Sequence, residues 1–401
     1  MNPLVEGIHR FLQNHILSTK ISQSNISHHD TLIDGLPKRY TIYKPLLLLP
    51  VNVFTSPQPW AELYSSLDNS QRQLLYESIA ASFSKSGVTH VALNAPIAVM
   101  NSVGTENRMR SPVGLVPLHG DFGPILDPDS TPDDRDFKEA LWVQTVQNGG
   151  IVQCWAPLYT MFSRGNITEK ARILGQGNRF AGLDESSLNG QDVGEISVVD
   201  LYAGIGYFVF SYLKRGVKRV WGWELNAWSV EGLRRGCLQN GWRCKVVPLN
   251  AQGELKGGYE DMVNEITDDD RIIIFHGDNR LAAQILGNIQ PLLEEKGSWA
   301  AIRHVNQGLL PTSQPTWETS LRILDRDAGG WAHVHENVDV NEIDMKSAEI
   351  VQEYERFGYM KAVNMTIACD YVERVKTYAP GVMHCVYDIH VEFDKQTWPY
   401  K

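Results

Sequence analysis

One stretch of the chain, residues 197–226, constrains the fold more than any other, because it predicts a strand, a glycine turn, a helix and a second strand in succession. A short apolar run ends in Asp200, and Gly204 and Gly206 follow in a turn where glycine lets the backbone bend sharply and approach a ligand closely. Residues 207–214 then predict a helix that ends in two cations and a glycine. This order is typical of an open α/β sheet.

The second predicted strand, residues 219–223, places Glu224 at its carboxyl end. Ligands bind at the carboxyl ends of strands in such sheets, and an acid about 20 residues beyond a glycine turn can accept both hydroxyls of a ribose. A pyrophosphate site would favour the pattern G-x-G-x-x-G, whereas here Asp200 precedes the turn and a third glycine is missing. Because a carboxylate repels phosphate but suits a sulfonium, the unit predicts an S-adenosylmethionine site. The alternative is that the two glycines only form a tight turn.

The composition is that of an ordinary globular protein. The 401 residues exceed the usual size of one domain, and 43% hydrophobic with 21% charged residues supply material for a core. Five scattered cysteines without C-x-x-C spacing favour a reduced, cytoplasmic protein without a zinc or other metal site. We expect neither a signal peptide nor a membrane span, because no run of about 20 apolar residues occurs. The net charge of −10 argues against nucleic-acid binding by bulk electrostatics.

Residues 141–190 differ from the rest of the chain, because they combine aromatic side chains with a local excess of positive charge. Between residues 161 and 179 the only acid is Glu169, and the four cations are Arg164, Lys170, Arg172 and Arg179. Such a segment suits a phosphate backbone or a ligand carboxylate, and the alternative is a solvated helix face. We therefore predict an accessory region over residues 1–140, this basic connecting segment over 141–190, and a cofactor domain over 191–401.

A further buried strand, residues 271–275, leads into Asp278 and Asn279. An acid and an amide at that position suit the edge of an adenine, since a carboxylate accepts from the exocyclic amine. The alternative is a helix cap, which both residue types also favour. Before this strand, residues 253–270 are polar and resemble a surface insertion. After it, four more strands are predicted, and the last two form an antiparallel pair joined by a tight turn.

Together these residues resemble the tRNA wybutosine-synthesizing protein 2 family and, more loosely, the tRNA guanine-N1 methyltransferases of archaea and eukaryotes. The resemblance covers residues 150–393. It is carried by five motifs in order along the chain: Met161-Phe162-Ser163-Arg164-Gly165-Asn166 with Glu169-Lys170-Ala171-Arg172, Asp200-Leu201-Tyr202-Ala203-Gly204-Ile205-Gly206-Tyr207-Phe208, Glu224-Leu225-Asn226, Gly277-Asp278-Asn279-Arg280, and Val305-Asn306-Gln307-Gly308-Leu309-Leu310-Pro311.

The resemblance implies an α/β fold, a Rossmann-like class I methyltransferase sheet of seven strands with an N-terminal α+β accessory domain. It also implies an enzyme that transfers the 3-amino-3-carboxypropyl group of S-adenosylmethionine to 4-demethylwyosine, the tricyclic base next to the anticodon of phenylalanine tRNA, and releases methylthioadenosine. The alternatives are a tRNA guanine-N1 methyltransferase and a scaffold that has lost its chemistry. The methyltransferase relatives carry an Asn-Pro-Pro-Tyr-like motif after the fourth strand, where this chain has Asn306-Gln307-Gly308-Leu309-Leu310-Pro311.

For the site, the resemblance implies cofactor contacts at five positions, Ser163, Lys170, Glu224, Asp278 and Asn279. The residues themselves add Asp200, Gly204 and Gly206 of the glycine turn. We predict that Arg164 and Arg172 contact tRNA phosphates. We also predict that Asn306 and Pro311 take part in substrate binding. The sequence assigns no catalytic base, because neither His304 nor any one aspartate stands out.

Overall fold

The computed structural model describes residues 2–17, 35–94, 115–127, 130–160, 162, 166–361 and 363–394. The chain divides into two compact units. The first contains residues 1–145 and 154–162, and the second contains residues 146–153 and 163–401. A separate two-stranded sheet consists of β5 (Val143–Gln147) and β6 (Ile151–Trp155). The three-part division predicted from sequence stays a prediction.

The first unit is a mixed α/β structure with a four-stranded sheet among its described residues. The two inner strands run parallel, and each outer strand is antiparallel to its neighbour. Its strands in spatial order are β1 (Thr41–Tyr43), β2 (Leu46–Leu49), β3 (His90–Leu93) and β4 (Val116–His119). Its helices are α1 (Pro3–Phe11), α2 (Gln58–Ser66), α3 (Asn69–Ser82) and α4 (Asp134–Glu139), with a π-helical turn at Leu12–Leu17.

The described residues of the second unit form an eight-stranded sheet, ordered β13-β14-β12-β11-β7-β8-β10-β9. The strands are β7 (Ile196–Asp200), β8 (Arg219–Glu224), β9 (Arg243–Pro248), β10 (Asp270–His276), β11 (Ala301–Gln307), β12 (Gly330–Asp339), β13 (Met365–Ala379) and β14 (Val382–Phe393). Strands β7 to β12 run parallel, whereas β14 is antiparallel to both β12 and β13. The predicted antiparallel end of the sheet is therefore confirmed.

The expected number of seven strands is wrong by one. Strand β9 lies at the edge of the sheet, outside β10, although it precedes β10 in the chain. Without β9, the order is that of the predicted class I methyltransferase sheet. The fold class is thus confirmed, with one added edge strand.

Helices cover both faces of this sheet, as the nearly continuous apolar strands require. All four residues of the run Ile272–Phe275 are fully buried. The helices are α5 (Ile167–Ile173), α6 (Val209–Arg215), α7 (Ala227–Gln239), α8 (Tyr259–Glu265), α9 (Ala282–Glu295), α10 (Trp317–Ile323) and α11 (Ile343–Met360). Helix α8 lies inside the predicted surface insertion, yet its Met262 and Val263 are buried in the core. Among the described residues, no helix combines the length and the apolar character needed to span a bilayer.

Candidate functional site

Four predicted site residues come together where parallel strands end. Asp200 ends β7 and lies in register with Asn306 on β11, and Glu224 ends β8. Asp278 follows β10, whose last residue is in register with Glu224. Because β11, β7, β8 and β10 are successive neighbours, these polar groups lie along one edge of the sheet.

The carboxylate of Glu224 holds the glycine turn in place. Its Oε2 accepts a hydrogen bond of 2.8 Å from the amide of Gly204, and its Oε1 accepts one of 2.7 Å from the amide of Asn226. Burial raises the pKa of Glu224, and these backbone N–H groups oppose the rise. Gly206 has φ of +88°, and a Cβ there would stand 2.7 Å from the ring of Phe210. Both glycine positions therefore require glycine, as the sequence predicts.

Asp200 and Asn306 leave buried polar atoms unsatisfied beside this turn. Oδ1 of Asp200 accepts from the amide of Tyr202 at 3.1 Å. Within the described part of the chain, Oδ2 of Asp200 and both polar atoms of the Asn306 side chain have no regular hydrogen bond. Burial raises the pKa of Asp200 to about 7, although the nearby Tyr202 amide and the Asn306 side chain lower it. Such orphaned groups are expected where a ligand supplies the partners.

The side chains of Asp278 and Asn279 both make hydrogen bonds to the backbone. Oδ1 of Asp278 accepts from the amide of Arg280 at 2.9 Å, so the residue caps a short 3₁₀ turn, as one alternative predicts. Its Oδ2 lies 3.0 Å from the Arg280 guanidinium. The Asn279 side chain donates to the carbonyl of Leu201 at 2.7 Å. The cap does not exclude an adenine contact, which stays a prediction.

Lys170 is buried and is linked to the glycine turn by a residue that the sequence did not single out. Its Nζ donates to Oε1 of Gln147 at 3.2 Å and to Oε1 of Gln153 at 3.1 Å. The amide nitrogen of Gln153 donates in turn to the carbonyl of Gly206 at 3.3 Å. The only sequence signal of Gln153 is an uncharged polar residue within the apolar strand β6. Burial lowers the pKa of Lys170 to about 7, so an arriving anion would stabilise its charged form.

The prediction that Arg172 contacts tRNA phosphates is wrong, because its side chain is 1% exposed and fully engaged. The guanidinium makes two hydrogen bonds of 2.8 Å to Glu169 and two of 2.5 and 3.1 Å to Asp388. It also donates to the carbonyl of Arg179. A guanidinium with these partners holds two buried carboxylates together and is not available to a ligand.

A chain of buried hydrogen bonds extends from Asp388. His333 Nδ1 lies 2.7 Å from Asp388, His333 Nε2 lies 3.0 Å from Nδ1 of His304, and His304 Nε2 lies 2.7 Å from the Gly182 carbonyl. Burial alone would raise the pKa of Asp388, but the charges of His333 and Arg172 hold it at about 2. These hydrogen bonds join β11, β12 and β14 through one buried row of side chains.

Three predicted residues remain. Ser163 and Arg164 lie outside the described residues. Pro311 is exposed after β11, and its carbonyl accepts from the amide of Asn337 at 2.8 Å. Helix α5 begins directly after Asn166, although that side chain makes no capping hydrogen bond.

Comparison with known proteins gives relatives of one name. The chain is 38% identical to tRNA wybutosine-synthesizing protein 2 of Schizosaccharomyces pombe, over 88% of this chain and 72% of that protein. It is 31% identical to the protein of the same name from Saccharomyces cerevisiae, over 97% of this chain and 80% of that protein. The crystal structure of P. horikoshii TYW2 in complex with MeSAdo has the same fold, with a TM-score of 0.54, 18% identity, and coverage of 96% of this chain and 98% of that one. No protein-family model matches the chain.

Proposed function

The chain belongs to the tRNA wybutosine-synthesizing protein 2 family, and we propose that it transfers the 3-amino-3-carboxypropyl group of S-adenosylmethionine to 4-demethylwyosine in tRNA. The product besides the modified tRNA is methylthioadenosine. The observation that carries this proposal, besides family membership, is the link from buried Lys170 through Gln153 to the glycine turn. This link supports the proposal, because a buried cation next to a glycine turn suits a ligand that carries both a carboxylate and a nucleoside.

The residues present suit S-adenosylmethionine. Glu224 at the end of β8 is the candidate ribose ligand, and Asp278 with Asn279 is the candidate adenine contact. The turn at Gly204 and Gly206 lets the backbone approach the ligand without a Cβ. When bound, S-adenosylmethionine supplies three carbons that its sulfonium makes susceptible to nucleophiles.

The protein selects among those carbons by position. The pair of glutamine oxygens fixes Nζ of Lys170, and the ring of Tyr207 lies 5.1 Å from the same atom. A fixed cation there holds the methionine carboxylate, so that the γ-carbon and not the methyl group faces the acceptor. We assign Ser163 to the same end of the ligand. Positioning of this kind contributes several kcal/mol, which is enough to decide between similar displacements.

On the acceptor side, we propose that the buried side chain of Asn306 and the segment up to Pro311 contact the tricyclic base. Arg164 contacts the phosphate backbone, and residues 141–190 serve both the cofactor and the tRNA. Phenylalanine tRNA is the proposed substrate and the cytoplasm the proposed location, which five free cysteines support. Residues 1–140 form the proposed accessory domain.

Mass spectrometry of the tRNA after incubation tests this function. Purified protein, phenylalanine tRNA carrying 4-demethylwyosine and S-adenosylmethionine should yield an aminocarboxypropyl adduct and methylthioadenosine. Release of S-adenosylhomocysteine with a methylated tRNA would show a methyltransferase instead. Absence of any transfer, with no binding of S-adenosylmethionine in calorimetry, would favour the scaffold alternative.

A further inference from the structure

Two buried histidines next to the proposed acceptor pocket form a pair with an unsatisfied nitrogen at each end. His335 on β12 and His384 on β14 are each 1% exposed. Nδ1 of His335 lies 3.1 Å from Nε2 of His384, so one hydrogen lies between the rings. In the portion of the chain that the structure describes, Nε2 of His335 and Nδ1 of His384 have no hydrogen-bond partner. We call His335 and His384 the histidine dyad.

The dyad lies close to Asn306. Asn306 is in register with His333 on the neighbouring strand, and His335 is two residues further along that strand, hence on the same face of the sheet. The ring of Phe208 lies 5.2 Å from the His335 ring, centroid to centroid. A Cβ placed on Gly308 would stand 3.3 Å from the Phe208 ring and 3.4 Å from Nδ2 of Asn306. Phe208 therefore borders His335 on one side, and Phe208 and Asn306 both lie next to Gly308.

An unpaired polar atom in a protein interior is costly, so two in one dyad call for a functional explanation. Burial, followed by the neighbouring charges, lowers the pKa of both rings, that of His384 to about 3. The charged or titratable groups near the dyad are Lys376, His333, Arg172 and Asp388. Both rings are therefore neutral, and a neutral dyad offers one bare nitrogen and one N–H at its two ends.

The proposed reaction needs a proton acceptor. When the ring carbon of the base forms its new carbon-carbon bond, its carbon-hydrogen bond must break, and the electron pair of that bond returns to the ring. The ring then regains its aromaticity, so a weak base is sufficient to take the proton. The sequence assigns no such base, and the proposed mechanism engages Glu224, Asp278 and Lys170 with the cofactor.

We propose, on the basis of the proposed function, that His335 accepts this proton at Nε2 and that the dyad passes it away from the pocket. His335 gives its Nδ1 hydrogen to Nε2 of His384, and His384 gives the hydrogen on its own Nδ1 to a water molecule. His384 lies in register with Lys376 on β13, a partly exposed residue, so the far end of the dyad is nearer to solvent. Protons and charge balance at each transfer.

Single-turnover kinetics with His335→Ala test the proposal, using the full chain and phenylalanine tRNA that carries 4-demethylwyosine. We expect the rate of aminocarboxypropyl transfer to fall by about 10² to 10⁴-fold, the usual contribution of a general base. Added imidazole should restore part of the rate, and methylthioadenosine should bind as tightly as to the wild type. His390→Ala is the matched control, because His390 is a partly exposed histidine on β14 that stacks on Trp331. This variant should transfer the group at the wild-type rate, and imidazole should not change that rate.

A second readout needs no cofactor. In protein with ¹⁵N-labelled histidines and no S-adenosylmethionine, tRNA carrying the base should shift the ring resonances of His335 and His384 but not that of His390. His335→Gln, which keeps a polar side chain, covers the case in which the alanine variant does not fold.

The outcomes separate the two proposals. If the wild type transfers nothing, the proposed function fails. If the wild type transfers the group and a folded His335 variant does so equally fast, the dyad proposal alone is overturned. It is also overturned if imidazole does not restore the rate of the variant and tRNA does not shift the ring resonances of His335 and His384.

Discussion

Nζ of Lys170 lies 3.1 Å from Oε1 of Gln153, and the same glutamine donates to the carbonyl of Gly206. One neutral side chain thus joins the cation of helix α5 to the turn between β7 and α6. The position of the Lys170 ammonium is therefore coupled to the conformation of the glycine turn. This coupling gives two predictions, one for the pH dependence of cofactor binding and one for the two glutamines that contact Lys170.

The first prediction concerns Lys170 and pH. Burial lowers its pKa to about 7, and a bound carboxylate would raise it, so binding above that pH requires proton uptake. Affinity for S-adenosylmethionine should therefore fall by up to about tenfold per pH unit above pH 7. Calorimetry across this range measures it. Lys170→Met should remove the contribution of Lys170 to the pH dependence of S-adenosylmethionine binding. Methylthioadenosine lacks the carboxylate, so its binding should not depend on the protonation of Lys170. An unchanged dependence in the variant would exclude the role.

The second prediction compares two glutamines. Both accept from Lys170, but Gln153 alone is also bonded to Gly206. Gln147→Leu should weaken the binding of S-adenosylmethionine and leave the binding of methylthioadenosine unchanged. Gln153→Leu should weaken the binding of both ligands. The hydrogen bond lost at the turn should lower each affinity by about fivefold. Equal effects of the two variants on methylthioadenosine would show that the turn does not depend on Gln153.

Most of the cofactor domain is predictable because its strands are self-evident in the sequence. Ile272 to Phe275 is apolar throughout, and an apolar run of this length between polar segments predicts a strand covered on both faces. The position of β9 is not predictable in this way. A strand's place in a sheet depends on the connections around it, and nothing in residues 243–248 shows that this strand-like segment pairs outside β10.

The sequence singles out residues with a local signature, but it cannot single out residues whose role depends on distant partners. Glu224 follows a strand and a glycine turn, whereas Gln153 is an ordinary polar residue until the fold brings Lys170 and Gly206 to it. The sequence assigns Arg172 the wrong role for the same reason. Its partner Asp388 is 216 residues away, so the sequence could not distinguish a buried ion pair from a cation that awaits a phosphate.

The third prediction concerns that ion pair. Arg172→Met leaves Glu169 and Asp388 as buried carboxylates without their cation, so the free energy of unfolding should fall by about 3 to 5 kcal/mol. Urea titration measures the loss. Arg356→Met is the matched control, because its ion pair with Glu353 lies at the surface. Surface ion pairs contribute little to stability, so this variant should unfold at nearly the same urea concentration as the wild type.

The same variant tests the corrected role of Arg172. At a temperature where Arg172→Met is folded, its affinity for tRNA and the salt dependence of that affinity should equal those of the wild type. A weaker salt dependence with unchanged stability would mean that the guanidinium does reach a phosphate.

The fourth prediction is the pH dependence of stability. Burial lowers the pKa of His304, His335 and His384, that of His384 to about 3. Below about pH 6.5 the unfolded chain binds protons at these rings and the folded chain does not, so stability is complete above this pH and is lost as the pH falls. Each ring contributes up to about 1.4 kcal/mol per pH unit, and His384 continues to do so down to about pH 3. Urea titrations at pH 7 and below measure the slope. His384→Gln should flatten it and His390→Gln should not; identical slopes in both variants would show that the dyad is already protonated in the folded protein.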